Sequence, residues 1–261
     1  MLVSQSRLFG IACRHLSFSA YSWKHSEDGV LLGEASLYFP LVGFVFGFGF
    51  ILTYFIFASF ARIELSCLVV LLVMVKVFTG RQYQSCLKFF DVLGQLKDVD
   101  EKDANVDLTQ NLIRILLIFG LFTLKLLALT HLGKGWLPAM LALVPVVSCW
   151  SKVYLCHSFS SYVSESGELS YMRSVKGKQF WGATFFTTLV AGVFMGLEGL
   201  FLLMFISLWT EILDRWVVTR PRQILGPMVG VVMELNEILL LLGLIVMRKG
   251  FALSGEEGVW L

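Results

Sequence analysis

The chain has 261 residues, 57% of them hydrophobic and only 15% charged, with a mean hydropathy of +0.76, where a soluble domain carries about 25% charge. So little charge excludes a water-soluble globular domain and reads as an integral membrane protein, whose helices face lipid and satisfy their own backbone groups. The formal net charge of +2, spread over separate loops, excludes a basic stripe for nucleic acid.

The N-terminal segment, 1–36, mixes Arg7, Arg14, Lys24 and His25 with short apolar pieces, without the early apolar core of a cleaved signal. A bilayer-spanning helix takes about 20 mainly apolar residues, and the first such run is Leu37 to Phe60. Pro40 falls in its first turn, where a missing N–H costs little. Gly43 and Gly47 form a GxxxG pair that would let another helix approach closely. Leu65 to Phe78 makes a shorter second span, with Lys76 near its end able to reach the headgroups. A cytoplasmic loop over 79–110 follows, acidic in its second half, and then a third span from Asn111 to His131 holding Arg114 and, deeper, Lys125.

Trp136 to Leu155 forms the fourth span, with a kink expected near Pro145. A Ser-rich loop leads to an apolar run from Phe180 to Trp209, too long for one untilted helix and interrupted by GLEG at 196–199. It reads as two short spans, with a single tilted helix as the alternative. A basic loop from Glu211 to Gln223 and a last span from Ile224 to Met247 complete the chain. The expected fold is an all-α polytopic membrane bundle of about seven transmembrane helices, one integral membrane domain over 1–261.

With a cytoplasmic N-terminus, seven spans put thirteen basic residues in inner loops and four in outer ones, a strong positive-inside bias. A single helix over 180–209 would carry Arg215, Arg220 and Arg222 outside and weaken that bias. The long loops, and with them any chemistry, are therefore expected on the cytoplasmic side.

Cys13, Cys67, Cys86, Cys149 and Cys156 form no CxxC pair and the four histidines are scattered, so these read as packing residues rather than a zinc site. Asp91, Asp98, Asp100, Glu101, Asp103 and Asp107 share one membrane face. Such acids can hold Mg²⁺ for a phosphate-bearing substrate, and a solvated charged loop is the ordinary alternative. No Walker A loop, no GxSxG elbow and no CDP-alcohol phosphotransferase pattern is present. Glu234 and Glu237 share a face well inside the last span, with Asn236 beside them. Carboxylates at that depth need Arg114, Lys125 or a substrate cation, and the pair is either an interhelical ion pair or a ligand contact. Lys125 stands open in the same way, between packing inside the bundle and touching substrate.

Three stretches resemble the cobalamin synthase family, the adenosylcobinamide-GDP ribazoletransferases. YFPLVGFVFG at 38–47 is similar to the family's Y-F-P-L-V-G-x-x-x-G. VFTGRQYQSCLKFFDVLGQ at 77–95 stands where the family has L-L-T-G-G-L-H-L-D-G-L-A-D-T-x-D, and VGVVMELNEILLLLGL at 229–244 resembles its closing L-G-A-x-x-E-L-S/N-E-L-x-x-L-L. Thr79, Gly80 and Leu87 agree with the loop motif, while Tyr83 replaces its histidine and Ser85, Phe89 and Val92 replace its three aspartates. Asp107 meets the aspartate of the family's D-S-R-I-G-T motif when Lys125 is matched to a family lysine. Gly226 and Gly230 fit T-G-D-x-x-G, with Pro227 at the aspartate.

The resemblance implies a membrane transferase of late adenosylcobalamin biosynthesis in the bacterial cytoplasmic membrane. It would join α-ribazole, or its 5′-phosphate, to adenosylcobinamide-GDP and release GMP, with Mg²⁺ on the diphosphate. On this reading Asp91 and Asp107 are the metal and catalytic residues, and Thr79, Gly80, Arg81, Lys125, Glu234 and Glu237 contact substrate. Expected partners are these small molecules, the lipid bilayer, and either a second copy or other corrinoid-assembly enzymes. The lost aspartates set an alternative beside it: a non-catalytic homologue serving as a membrane scaffold or corrinoid binder. A small transporter is disfavoured, since neither half of the chain repeats the other.

Overall fold

The computed structural model describes residues 5–17, 26–78, 81–95, 104–163 and 169–253, with side chains for 5–17, 29–78, 82–92, 112–163 and 169–248. All regular structure among the described residues is helical: α1 (Gln5–Leu16), α2 (Ser26–Ala35), α3 (Phe39–Ala58), α4 (Ile63–Val77), α5 (Arg81–Gln95), α6 (Ala104–His131), α7 (Gly133–Ser158), α8 (Gly177–Val218) and α9 (Leu225–Leu253). Short 3₁₀ turns join several of them. The protein is an all-α membrane bundle. Leu116 and Phe119 on α6, and Phe185, Val193 and Leu197 on α8, are mostly exposed, which is stable only against lipid.

The bundle is built around α7. Its apolar window is 83% buried against 17% for that of α6, and Met140 through Trp150 are all buried. The helix runs through both Pro138 and Pro145. The GxxxG pair of α3 seats against it: a Cβ at Gly43 would lie 2.5 Å from the Pro145 carbonyl oxygen, and one at Gly47 would lie 2.9 Å from the Ala142 Cα. Only glycine lets the two backbones come so close.

Five helices among the described residues are long and apolar enough to cross a membrane, and a sixth candidate is the pair α4 and α5, bent by 68°. The longest of them, α8, is two helices in fact. Gly196 sits at φ 57°, ψ −137° and interrupts it, a backbone region open essentially to glycine alone. Tyr154 packs on Phe180, with ring centroids 5.7 Å apart, and also donates its hydroxyl to Glu211. A straight helix would hold residues 180 and 211 roughly 46 Å apart at 1.5 Å per residue. The chain therefore reverses at Gly196 into an antiparallel hairpin, 177–195 and 197–218, as the GLEG interruption implies.

Two expected segments look different in three dimensions. Much of the 79–110 loop is helical: α5 occupies 81–95 and α6 begins at Ala104. Gln82, Tyr83, Cys86 and Phe89 recur at helical spacing and are buried, which turns the stretch into an amphipathic helix rather than an open loop. The N-terminal segment is no separate appendage either, since Leu8, Ala12 and Leu16 of α1 are buried within the common core. Four of the five cysteines are buried, Cys13 is half-buried, and all five are free thiols.

Candidate functional site

Lys125, in the C-terminal third of α6, meets both carboxylates of α9. Its Nζ lies 2.5 Å from Glu237 Oε2 and 2.7 Å from Glu234 Oε1, and none of the three side chains is more than 4% exposed. Glu237 is the better anchored carboxylate. Its Oε1 accepts from Ser148 of α7 at 2.5 Å and from Gln82 of α5 at 2.9 Å, and Gln82 also donates to the Ser148 hydroxyl at 3.0 Å. The Lys125 ammonium stands 5.9 Å from the ring centre of Tyr83. One cation thus joins four helices at depth. In apolar surroundings such a cluster is costly to break, because any group left behind is a buried charge without a partner. Arg114, the other cation considered for these carboxylates, pairs with Asp91 at 2.6 Å instead.

Asn236, one residue from Glu237, faces a different network. Its amide donates to Ser151 Oγ at 2.7 Å and to Thr210 Oγ1 at 2.8 Å. The motif E-L-N-E therefore pins α9 to α6 through its acids and to α7 and the second arm of α8 through its amide.

Beside the buried cluster lies a cavity of about 200 Å³ between α1, α5, α7, α9 and the segment around Leu169–Met172. Its polar lining includes His15, Gln82, Ser85 and Lys152, and glycines Gly226 and Gly230 form part of the floor. Lys152 Nζ is 2.7 Å from His15 Nε2. The His15 ring is held in place by stacking on Phe39, centroids 5.5 Å apart, and by the edge of Tyr171 at 5.4 Å. At Gly230 a Cβ would overlap the Ser85 side chain, so glycine here lets α5 pack onto α9. Gln82 connects the two features, lining the cavity while donating to Glu237.

The expected residues are distributed unevenly over this geometry. Lys125, Glu234 and Glu237 come together, in a buried cluster rather than on the cavity wall. Asp91 is partly exposed and paired with Arg114. Thr79 and Gly80 lie outside the described residues; Arg81 opens α5 and Asp107 lies in the first turns of α6, the side chains of both being outside them. Of the three positions where the family carries aspartate, Ser85 lines the cavity, Phe89 is buried in the core, and Val92 packs against that core.

Mg²⁺ calls for carboxylate and water oxygens in octahedral array. Among the described residues no group of three or more His, Cys, Asp or Glu is placed to hold a metal ion, and a cavity lined by lysine, histidine, glutamine and serine does not fit one. His15, Gln82 and Lys152 were not singled out from sequence. Lys152 carries one signal, a cation near the C-terminal end of a Pro-containing span, and His15 another, lying on α1 whose Leu8, Ala12 and Leu16 recur at helical spacing and are buried.

The family model described as cobalamin-5-phosphate synthase matches residues 112–245, just over half of the chain. The match covers α6 from Leu112, all of α7 and α8, and most of α9, with Lys125, Glu234 and Glu237 inside it; the stretches at 38–47 and 77–95 lie outside. No curated protein and no solved structure matches the chain.

Proposed function

Because the chain belongs to the cobalamin-5-phosphate synthase family, we propose that it is a membrane transferase of late cobalamin biosynthesis. Its substrates on this reading are adenosylcobinamide-GDP and α-ribazole or α-ribazole 5′-phosphate. A ribose hydroxyl of the ribazole attacks the cobinamide phosphate, the bond from that phosphorus to the GMP oxygen breaks, and the hydroxyl proton leaves to water or a base. The positive-inside count supports placing the reaction at the cytoplasmic face of a bacterial membrane.

The observation that carries the reading is the wall of the cavity. Ser85 of α5 and Gly226 and Gly230 of α9 line it together, and they stand in the stretches that resemble the family's loop motif and its T-G-D-x-x-G pattern. A volume of about 200 Å³ is below the roughly 300–1,000 Å³ of a pocket that engulfs a whole ligand. The cavity suits a diphosphate end, with the larger corrin ring resting at its mouth. Magnesium in this scheme arrives with the substrate diphosphate. Membranes containing the protein should release GMP from adenosylcobinamide-GDP in step with α-ribazole consumption.

A second reading is a corrinoid-binding homologue without turnover. Serine, phenylalanine, valine and proline at 85, 89, 92 and 227 favour it, as does the engagement of Asp91 by Arg114. Tight corrinoid binding with no GMP released at any Mg²⁺ concentration would decide for that reading.

A further inference from the structure

Where the family's motif would place carboxylates around a metal, this cavity carries a cation. Lys152 enters from α7 and His15 from α1, 2.7 Å apart, with Gln82 and Ser85 across from them on α5. The lysine is partly buried and its ammonium also lies 5.4 Å from the Phe39 ring centre, so its head is confined to the cavity rather than free to trail in solvent. Gln82 spends its amide hydrogens on Ser148 and Glu237, so the polar chemistry this lining offers an anion is the Ser85 hydroxyl and an ammonium, held by His15 Nε2 as acceptor. Charge-assisted bonds of this kind to phosphate oxygens are about twice as strong as neutral ones.

We propose that the cavity binds the diphosphate of its ligand directly through Lys152, oriented by His15, with Ser85 as a further donor, and without a metal held by the protein. The inference deepens the reading of the cavity as the substrate site and rests on it. A lysine there supplies as a fixed point charge what a carboxylate-bound cation would otherwise supply. It also gives the missing acids a physical reason, since aspartate at position 85 would stand on the wall of the same small cavity.

The test uses the full-length protein in phosphatidylcholine nanodiscs with inorganic pyrophosphate as probe and excess EDTA throughout. Pyrophosphate should bind, and Lys152→Gln should weaken it by about tenfold or more, the loss of one hydrogen bond to a charged group, while Lys152→Arg keeps most of it. On the unaltered chain, pyrophosphate should shield Lys152 from an amine-acylating reagent, read by mass spectrometry, so the result does not depend on a variant that folds. Binding that needs Mg²⁺, binding unchanged in Lys152→Gln, or an unshielded Lys152 would each overturn the proposal. So would loss of pyrophosphate binding when phosphatidylglycerol is added, which would assign the site to a lipid headgroup. GMP release without pyrophosphate binding sinks this inference alone. Lys152-dependent binding without GMP release sinks only the transferase reading.

Discussion

Lys125 and Glu237 stand 112 positions apart in sequence and meet at 2.5 Å in the buried middle of the bundle. Glu234, a turn away on α9, shares the same ammonium at 2.7 Å. Two carboxylates then face one lysine, so removing the lysine leaves more uncompensated charge than removing either acid. Lys125→Met should be the most damaging single change in the cluster, on the order of 3–5 kcal/mol for breaking a buried pair. Glu237→Gln should come next, because it also disturbs the bonds from Ser148 and Gln82, and Glu234→Gln last. Thermal unfolding of the purified variants in detergent checks the order; Glu234→Gln costing more than Lys125→Met would contradict it.

The contact of α3 with α7 supplies its own control. Gly43→Ala would push a methyl group against the Pro145 carbonyl, and backbone cannot give way as a side-chain end can. Gly49, two positions beyond Gly47 on the same helix, has nothing within 4 Å of a Cβ. Gly43→Ala should lower stability by about 1–3 kcal/mol, the usual cost of overpacking, and Gly49→Ala should be neutral or slightly stabilising. Equal melting temperatures for the two variants would mean that the helices do not touch at Gly43.

Gly196 is constrained by backbone rather than by space. A Cβ there meets nothing within 4 Å, yet φ is +57°. Gly196→Ala should therefore cost about 1–3 kcal/mol through strain alone. Cysteine pairs link the measurement to topology: cross-linking of cysteines at positions 180 and 211, each facing Tyr154, by a flexible bis-maleimide is expected for the hairpin and impossible for a straight helix.

Restoring the family's aspartates should not act uniformly. Phe89 is 8% exposed and belongs to the core, so Phe89→Asp buries an unpaired carboxylate and should destabilise by several kcal/mol, as burial of a lone charge does. Ser85 faces the cavity, and Ser85→Asp should fold. Expression and melting of the two single variants distinguish these outcomes; a stable Phe89→Asp protein would mean that α5 is not docked through that face.

Much of the bundle could be read from residues whose physics is local. Apolar runs of bilayer length marked α3, α6, α7 and α9; Gly43 and Gly47 announced a close helix contact, though not that α7 makes it; GLEG announced the break at Gly196. The depth of Lys125, Glu234 and Glu237 demanded mutual neutralisation, and they provide it. What stayed hidden depends on docking. Glutamine and serine in α5 suggested an open polar loop, because the buried face of that helix is defined only once α9 packs on it at Gly230. His15 and Lys152 meet only because α1 folds back onto α2 and α3, and the apolar stripe Leu8, Ala12 and Leu16 says that α1 docks but not on what. The identity of the cavity's cation was therefore out of reach while the family itself was legible.

The central claim is that the cavity between α5 and α9 receives the corrinoid's diphosphate end. Ser85→Cys in a Cys13→Ala background places the most accessible thiol of the chain on the cavity wall, since the other four cysteines are buried. The rate at which a maleimide alkylates Cys at this position, measured with and without adenosylcobinamide-GDP, reads occupancy without requiring turnover. Several-fold protection that saturates with the corrinoid is the predicted result, and alkylation at the same rate in its presence would contradict the account.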